Sequence, residues 1–334
     1  MRIAHLPQLL LVGMEGREPS PRLRRLIRRG VGGIVLYERN CADASQVRDL
    51  TTELQGIAHE AGQPPLIIAV DQEHGPVTRI KKGVTLFPSP YKLALRGEEA
   101  VREMARVTAK ELSSMGINLN LAPVADLLLT DNEVIGERSF GKNPQRVAEL
   151  VALYVEELQG VGVAACAKHF PGHGACKEDS HKTLPILDLS IDLLGKRELL
   201  PFREAIRVGV ATMMVGHILI PALDPETPAT FSPRVIRGVL REELGFRGVV
   251  ISDDILMGAL SPWSLEERAL LALKGGIDML LVSGEGEGEA VMEGLMRGWD
   301  GGRLPPERVR DAANRIAALK ERFPWRRSHG EDRT

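Results

Sequence analysis

The sequence predicts a single (β/α)8 barrel, a ring of eight parallel strands surrounded by helices. Eight short apolar runs alternate with longer segments in which apolar residues repeat at helical spacing. The runs are almost wholly apolar, as in parallel strands that are buried on both faces. A doubly wound open sheet is the alternative. The chain lacks the GxGxxG and GxxxxGKS/T phosphate loops that are typical of such sheets.

The predicted strands and helices alternate in order along the chain. The strands lie at 9–12, 34–36, 66–70, 119–124, 163–167, 212–215, 248–252 and 278–282. The helices lie at 21–29, 43–61, 98–115, 144–158, 192–208, 232–244 and 264–274, and a Glu-rich helix and a helix at 306–322 follow the last strand. Asp43 and Ser232 are residue types that cap helix N-termini, and Pro233 suits a first helical position. No linker rich in Pro, Gly or Ser divides the chain, so we expect one domain over 1–323 and a polar, flexible tail at 324–334.

The composition excludes several classes of protein. Of the 334 residues 43% are hydrophobic, which is enough for a large core, and the formal net charge of −2 argues against nucleic-acid binding. No apolar run reaches the roughly 18 residues that a membrane span needs, and the N-terminus lacks a signal-peptide pattern. Cys41, Cys166 and Cys176 show no CxxC spacing and predict neither a disulfide framework nor a cysteine zinc site. We therefore expect a cytoplasmic protein and a monomer.

Polar side chains follow several of the predicted strands at the point where each strand ends. The active sites of (β/α)8 barrels lie at these carboxyl ends, and charged residues rarely enter a core without partners. A set of charged residues that converges on one barrel mouth therefore predicts a functional site. The residues of this set are Asp71, Asp126, Lys168, His169, His217, Asp253 and Asp254.

The loop after the fifth strand is the most informative segment. Within 168–181 it contains His169, His173 and His181, and Asp179 lies two residues before His181. A carboxylate that accepts a hydrogen bond from one ring nitrogen raises the basicity of the other, so Asp179 and His181 can form an acid/base dyad. Zinc binding by the three histidines and Asp179 is a less favoured alternative, because the spacing is not the helical HExxH pattern. We expect no metal and no organic cofactor.

The seventh strand ends in two adjacent carboxylates. Asp253 and Asp254 cannot both face the same way along an extended chain, because successive side chains point to opposite faces. Asp253 is nearer to the strand and is predicted to be the catalytic one, as a nucleophile or an electrostatic stabiliser. Asp254 is predicted to be structural.

These segments together resemble glycoside hydrolase family 3, and within it the bacterial β-N-acetylglucosaminidases of cell-wall recycling. The resemblance covers about residues 6–320 and rests on six ordered motifs. They are VDQE at 70–73 with Arg79, NLAPVAD at 120–126, IGERSFG at 135–141, KHFPGHG at 168–174 with DSH at 179–181, LGF at 244–246 and SDD at 252–254. The motif after the third strand departs from the family pattern, which usually continues Glu-Gly-Gly-Arg-Val, at His74 in place of glycine and at Pro76 in place of arginine.

The resemblance implies a retaining, exo-acting β-N-acetylglucosaminidase that acts on small cell-wall glycans or muropeptides. It implies Asp253 as the nucleophile, His181 as general acid/base and Asp179 as its partner, in place of the usual pair of carboxylates. It implies Asp71, Arg79, Arg138, Lys168 and His169 as residues that bind the sugar. Two alternatives stay open, a phosphorylase on the same barrel and an inert sugar-binding protein. The aromatic content of 4% argues against an extended polysaccharide cleft and for a short pocket.

Overall fold

The computed structural model describes residues 5–129, 134–176 and 178–325. In these residues eight parallel strands form one sheet in which each strand pairs with the next, and the first strand also pairs with the last. The strands are β1 (Leu10–Gly13), β2 (Gly33–Leu36), β3 (Ile67–Val70), β4 (Leu119–Asn120), β5 (Ala164–Phe170), β6 (Thr212–Val215), β7 (Val249–Ser252) and β8 (Leu280–Val282). The predicted (β/α)8 barrel is confirmed.

The ring closes between β7 and β8 through backbone hydrogen bonds. The N–H of Ser252 donates to the carbonyl of Met279 at 3.0 Å, and the N–H of Ile255 donates to the carbonyl of Leu281 at 3.1 Å. These bonds lie on either side of Asp253. The closure of the barrel therefore also fixes the backbone that carries this carboxylate.

Helices cover the outside of the ring. They are α1 (Pro21–Arg28), α2 (Ala44–Glu60), α3 (Pro90–Arg96), α4 (Glu98–Ser114), α5 (Pro144–Gly160), α6 (Ile191–Lys196), α7 (Leu199–Arg207), α8 (Leu265–Gly275), α9 (Glu285–Asp300) and α10 (Pro306–Arg322), and Arg234–Glu243 is π-helical. Asp43 accepts a hydrogen bond from the N–H of Gln46 at 2.9 Å, and Ser232 accepts one from the N–H of Val235 at 3.3 Å. Both predicted caps are confirmed.

The structure differs from the predicted elements at several boundaries. The helix predicted at 192–208 is two helices, α6 and α7, because Pro201 has no N–H to donate to the carbonyl of Arg197. β4 ends at Asn120 rather than at 124, since Pro123 likewise cannot donate to a neighbouring strand. β5 extends to Phe170. A short hairpin, Gln72–His74 with Val77–Thr78, and helix α3 were not predicted.

The sequence predicts no membrane-spanning helix and a flexible C-terminal tail. Within the described ranges, no helix combines the length and the apolar character that a membrane crossing requires. Of the tail predicted at 324–334, residues 326–334 lie outside the described residues.

A buried carboxylate stabilises the foot of the barrel, opposite the ends where the strands deliver their polar residues. Asp278, just before β8, is 0% exposed. Its oxygens bind the guanidinium groups of Arg241 at 2.5 Å, Arg308 at 2.7 Å and Arg315 at 3.1 Å. It also accepts the N–H of Val250 in β7 at 3.0 Å. One side chain thus connects the closing strands to α10 and to the π-helical segment.

Replacing Asp278 by Asn leaves buried guanidinium groups without their counter-charge. Removing one partner of a buried ion pair typically costs about 3–5 kcal/mol. We expect Asp278→Asn to lower the free energy of unfolding, measured by urea denaturation, by about 3 kcal/mol. Asp311→Asn is the control, because Asp311 is an exposed carboxylate on α10, the helix that carries Arg308 and Arg315, and it should change the free energy of unfolding by less than about 0.5 kcal/mol. Equal effects of the two variants would contradict this account of the barrel foot.

Candidate active site

The carboxyl ends of the strands surround a cavity of about 390 Å³. Seven of the eight predicted site residues line this cavity, and the eighth, Asp179, is hydrogen-bonded to one of them. The lining consists of Tyr37, Arg39, Asp71, Val77, Arg79, Leu121, Val134, Arg138, Lys168, His169, His173, Ser180, His181, Met214, Asp253, Asp254, Met257, Leu281 and Ser283. The folded chain thus brings together residues that are spread over more than 200 positions.

A buried ionic network forms one wall of the cavity. The ammonium group of Lys168, 2% exposed, lies 2.7 Å from Asp71 Oδ1 and 2.6 Å from Glu73 Oε1. Arg138 forms a bidentate ion pair with Glu73, with Nε 2.8 Å from Oε2 and Nη2 2.9 Å from Oε1. Arg79 Nη2 lies 3.5 Å from Asp71 Oδ2, and Arg79 Nε is buried with no partner among the described residues. The short ion pairs fix the side chains of Lys168 and Arg138. Asp71 Oδ2 and Arg79 contact each other only at 3.5 Å.

The charges in this network stabilise one another against burial. Burial alone would raise the pKa of Glu73, but Arg138 and Lys168 outweigh it and hold that pKa far below the usual range. Burial would lower the pKa of Lys168, and Asp71 and Glu73 outweigh it in the same way and raise that pKa. Glu73 and Lys168 therefore stay ionised near neutral pH.

A second buried carboxylate orients the start of the loop after β5. Asp126, which is fully buried, accepts the backbone N–H and the ring Nδ1 of His169 at 3.1 and 2.7 Å. It also accepts the backbone N–H of His173 at 2.6 Å. Burial would raise the pKa of Asp126, but the two histidines lower it. An ionised Asp126 accepts a hydrogen bond from the Nδ1–H of His169, so Nε2 is the ring nitrogen left for other partners.

Asp253 lies at the end of β7 beside His169 and His217. Its Oδ1 accepts the N–H of Asp254 at 2.8 Å. Burial would raise the pKa of Asp253, but the nearby His169, this hydrogen bond and the ammonium group of Lys168 lower it. Asp253 is therefore a carboxylate that is ionised at neutral pH and faces the cavity.

The side chain of Asp254 accepts hydrogen bonds from the backbone of two neighbouring segments. Its Oδ1 accepts the N–H groups of Leu256 at 3.1 Å and Ser283 at 3.3 Å, and burial raises its pKa. His217 is buried behind the cavity, where Nε2 donates to the Asp254 carbonyl at 2.9 Å. Burial lowers the pKa of His217, so the ring is neutral and Nδ1 accepts the hydroxyl proton of Thr230 at 2.7 Å. His217 thus supports the backbone after Asp253 and does not line the cavity.

The Asp179–His181 pair lies at the mouth of the cavity. Asp179 Oδ1 accepts both the backbone N–H of His181 at 2.9 Å and its ring Nδ1 at 2.8 Å. His181 is 64% exposed. Burial would raise the pKa of Asp179, but its hydrogen bonds to His181 lower it. His173 Nε2 lies 3.0 Å from Ser180 Oγ and so connects the beginning of the loop to the segment that carries Asp179 and His181.

Sequence reasoning did not single out two residues of the site: Glu73 in the ionic network and Tyr37 in the cavity lining. Glu73 lies two positions after Asp71, and its place in the same motif was the available signal. Tyr37 follows directly on β2, where strand ends deliver site residues, and its ring packs against Arg39 and Arg79 at 4.5 and 5.8 Å. Burial and the nearby Asp254, Asp71 and Asp253 raise the pKa of Tyr37 beyond the normal range. Its hydroxyl is therefore a stable hydrogen-bond donor.

Histidine and carboxylate side chains at the cavity are also the types of residue that bind metal ions. Among the described residues, no group of three or more His, Cys, Asp or Glu side chains is arranged to hold one. His169, His173, His181 and Asp179 are instead engaged with Asp126, with Ser180 and with one another.

Comparison with protein families gives one match over almost the whole chain. Residues 4–319 match the family described as the glycosyl hydrolase family 3 N terminal domain. The chain is 39% identical over 268 residues to the beta-hexosaminidase of Neisseria meningitidis serogroup C, a match that covers 78% of this chain and 73% of that protein.

Two solved structures are also similar. A family 3 beta-N-acetylglucosaminidase from Paenibacillus sp. str. FPU-7 superposes with a TM-score of 0.95 at 42% identity, over 97% of this chain and 62% of that chain. A beta-N-acetylhexosaminidase from Beutenbergia cavernae superposes with a TM-score of 0.88 at 27% identity, over 96% of this chain and 99% of that chain. The chain thus spans less than two thirds of the first protein and nearly all of the second.

Replacing Glu73 by Gln tests the buried network. Loss of the carboxylate leaves Lys168 and Arg138 short of counter-charge, and we expect a decrease of about 3 kcal/mol in the free energy of unfolding at neutral pH. The pKa of Glu73 is lower in the folded than in the unfolded chain, so its stabilisation is complete above a pH near the ordinary value of 4.5 and is lost as the pH falls. The difference between wild type and variant should therefore narrow below that pH.

The measurement is urea denaturation of both proteins at a series of pH values. Glu149→Gln is the control, because this carboxylate is 63% exposed and its pair with Arg146 is screened by water. A difference between wild type and Glu73→Gln that does not change with pH would contradict the proposed ionisation of Glu73.

Proposed function

The chain belongs to glycosyl hydrolase family 3 and is a glycoside hydrolase, and on this premise we propose that it is a retaining, exo-acting β-N-acetylglucosaminidase. Its substrates are small cell-wall-derived glycans or muropeptides with a terminal N-acetylglucosamine. One observation carries the proposal: an ionised carboxylate, Asp253, and a histidine oriented by a carboxylate, His181, line the same cavity.

Asp253 is the nucleophile. Its Oδ1 is occupied by the N–H of Asp254, which leaves Oδ2 to attack the anomeric carbon. The bond from that carbon to the leaving oxygen breaks as the bond to Oδ2 forms, and the product is a covalent glycosyl-enzyme. The low pKa of Asp253 keeps it ready for this attack at neutral pH.

His181 supplies and recovers the proton. Asp179 accepts Nδ1–H, so Nε2 is the atom that exchanges protons with the substrate. In the first step the imidazolium gives its Nε2 proton to the leaving oxygen. In the second step neutral Nε2 takes a proton from water, whose oxygen attacks the anomeric carbon and releases Asp253 with net retention. The exposure of His181 suits a group that must meet both the aglycone and water.

The remaining residues hold the terminal sugar. Asp71 Oδ2 can accept hydrogen bonds from sugar hydroxyl groups, and Lys168, Arg138, Arg79 and His169 can donate to sugar oxygens or accept from hydroxyls. The network behind them is buried and fixed, so one wall of the cavity cannot extend into a longer cleft. This supports removal of single terminal residues.

Phosphorolysis is the second candidate function. The acid/base is a histidine and not a carboxylate, and Arg39 and Arg79 also line the cavity, so an incoming phosphate meets less repulsion than in a dicarboxylate site. Product analysis with and without inorganic phosphate separates the two reactions. A sugar 1-phosphate formed only with phosphate would favour the phosphorylase.

We also propose that the enzyme is a cytoplasmic monomer. Cys41 and Cys166 are buried thiols without disulfides, which suits a reducing compartment. Sizing chromatography tests the oligomeric state.

The test of the reaction is the hydrolysis of aryl β-N-acetylglucosaminides with good and poor leaving groups. We expect wild type to hydrolyse both and Asp253→Ala to lose about three orders of magnitude or more in kcat/KM on both. His181→Ala should lose about 10²–10⁴-fold on the poor leaving group and much less on the good one, which needs little acid assistance.

Asp188→Ala is the matched control, because Asp188 is an exposed carboxylate outside the cavity. This variant should retain wild-type rates. An inert sugar-binding protein would give no turnover even as wild type. Full activity of Asp253→Ala, or equal losses of His181→Ala on the two substrates, would refute the assigned roles.

A further inference from the structure

A short turn follows the Asp253 strand and contacts the loop that carries His181. The turn is the 3-10 segment Gly258–Leu260. The N–H of Gly258 donates to the carbonyl of His181 at 3.1 Å, and the N–H of Ala259 donates to the carbonyl of Ser180 at 3.2 Å. The backbone at His181 is therefore hydrogen-bonded directly to the segment that follows Asp253 in the chain.

The close approach at Gly258 leaves no room for a side chain. A Cβ placed there would lie 2.6 Å from the carbonyl oxygen of His181 and 2.8 Å from that of Lys182. Both neighbours are backbone atoms, and real Cβ contacts are essentially never shorter than 3.0 Å. Any residue other than glycine at 258 must therefore displace either the turn or the loop.

Burial decides which of the two moves. In the turn, Ala259 is 1% and Leu260 is 0% exposed, so the turn is part of the core. In the loop, the His181 side chain is 64% and the Lys182 side chain 80% exposed. Moving the turn would disturb packed apolar atoms, whereas moving the loop at His181 and Lys182 breaks the backbone hydrogen bond from Gly258 and displaces two exposed side chains. The loop is the cheaper element to displace.

We propose that Gly258 is a positioning residue for His181: its missing side chain lets the loop dock on the turn and holds the acid/base at a fixed place relative to Asp253. This proposal rests on the function proposed above and adds to it. Both reacting groups then depend on one continuous segment, 253–260. A substitution at 258 should withdraw the proton donor and leave the nucleophile in place.

The consequence is selective for the leaving group. In Gly258→Ala we expect kcat/KM to fall by about 100-fold or more for a β-N-acetylglucosaminide with a poor leaving group such as methanol. For the dinitrophenyl glycoside, whose leaving group departs without a proton, we expect a loss of less than about fivefold. A variant with general damage to the barrel would lose activity on both substrates alike.

A double variant shows whether the effect acts through His181. If Gly258 serves only to place this side chain, Gly258→Ala combined with His181→Ala should be no worse on the poor substrate than His181→Ala alone. Gly238→Ala is the matched control, because a Cβ there meets nothing within 4 Å. It should behave as wild type on both substrates.

A second variant, Ala259→Pro, tests the same contact in case Gly258→Ala does not fold. Ala259→Pro removes the N–H that donates to Ser180 and adds no atom at 258, and proline is tolerated in the first turn of a helix. It should show the same dependence on the leaving group in weaker form, with an unchanged circular dichroism spectrum.

The outcomes separate this inference from the proposed function. No turnover of either substrate by wild type would refute the function itself. Turnover by wild type, with Gly258→Ala and Ala259→Pro equal to wild type on the poor substrate or equally impaired on both, would overturn the positioning role. Additive losses in the double variant would also overturn it.

Discussion

The cavity depends on one buried cation. Lys168 is almost completely buried, and such a charge is costly unless it is paired. Its two partners, Asp71 and Glu73, lie just after β3, and Arg138 from a distant turn completes the pairing of Glu73. Three separate segments therefore have to meet at one place before any of the charges is compensated. The wall that results is rigid, which suits the proposed recognition of a single sugar by directed hydrogen bonds.

Asp253 and His181, the two residues that we propose to react, differ in burial: Asp253 is largely buried and His181 is exposed. Asp253 is placed by the closure of the barrel and is kept ionised by neighbouring positive charge and a hydrogen bond. His181 lies on an exposed loop, and its orientation comes from Asp179 and from the docking of its backbone on the turn at Gly258. In the proposed mechanism the nucleophile is fixed in the barrel and the acid/base is carried on a loop. The nucleophile needs one position, while the acid/base must serve first the leaving group and then water.

Much of this could be predicted from the sequence, for a physical reason. Parallel strands buried on both faces are apolar runs, and the polar residue that ends each run must lie at the barrel mouth, so Asp71, Lys168 and Asp253 could be placed without coordinates. The ion pairs of Glu73 with Lys168 and Arg138, and the contact of Gly258 with His181, could not be predicted, because they depend on how segments far apart in the chain meet. The break between α6 and α7 was missed because apolar spacing continues through Pro201, whose missing N–H interrupts the hydrogen bonds but not the pattern.

The most direct test of the mechanism is to trap the covalent intermediate. A fluorinated N-acetylglucosaminyl fluoride slows both steps but carries a good leaving group, so the glycosyl-enzyme should accumulate. We predict that mass spectrometry of the digested protein finds one added sugar, on the peptide that contains Asp253, and that excess substrate protects this residue from labelling. Inactivation without an adduct, or an adduct on another carboxylate such as Asp254 or Asp71, would contradict the account.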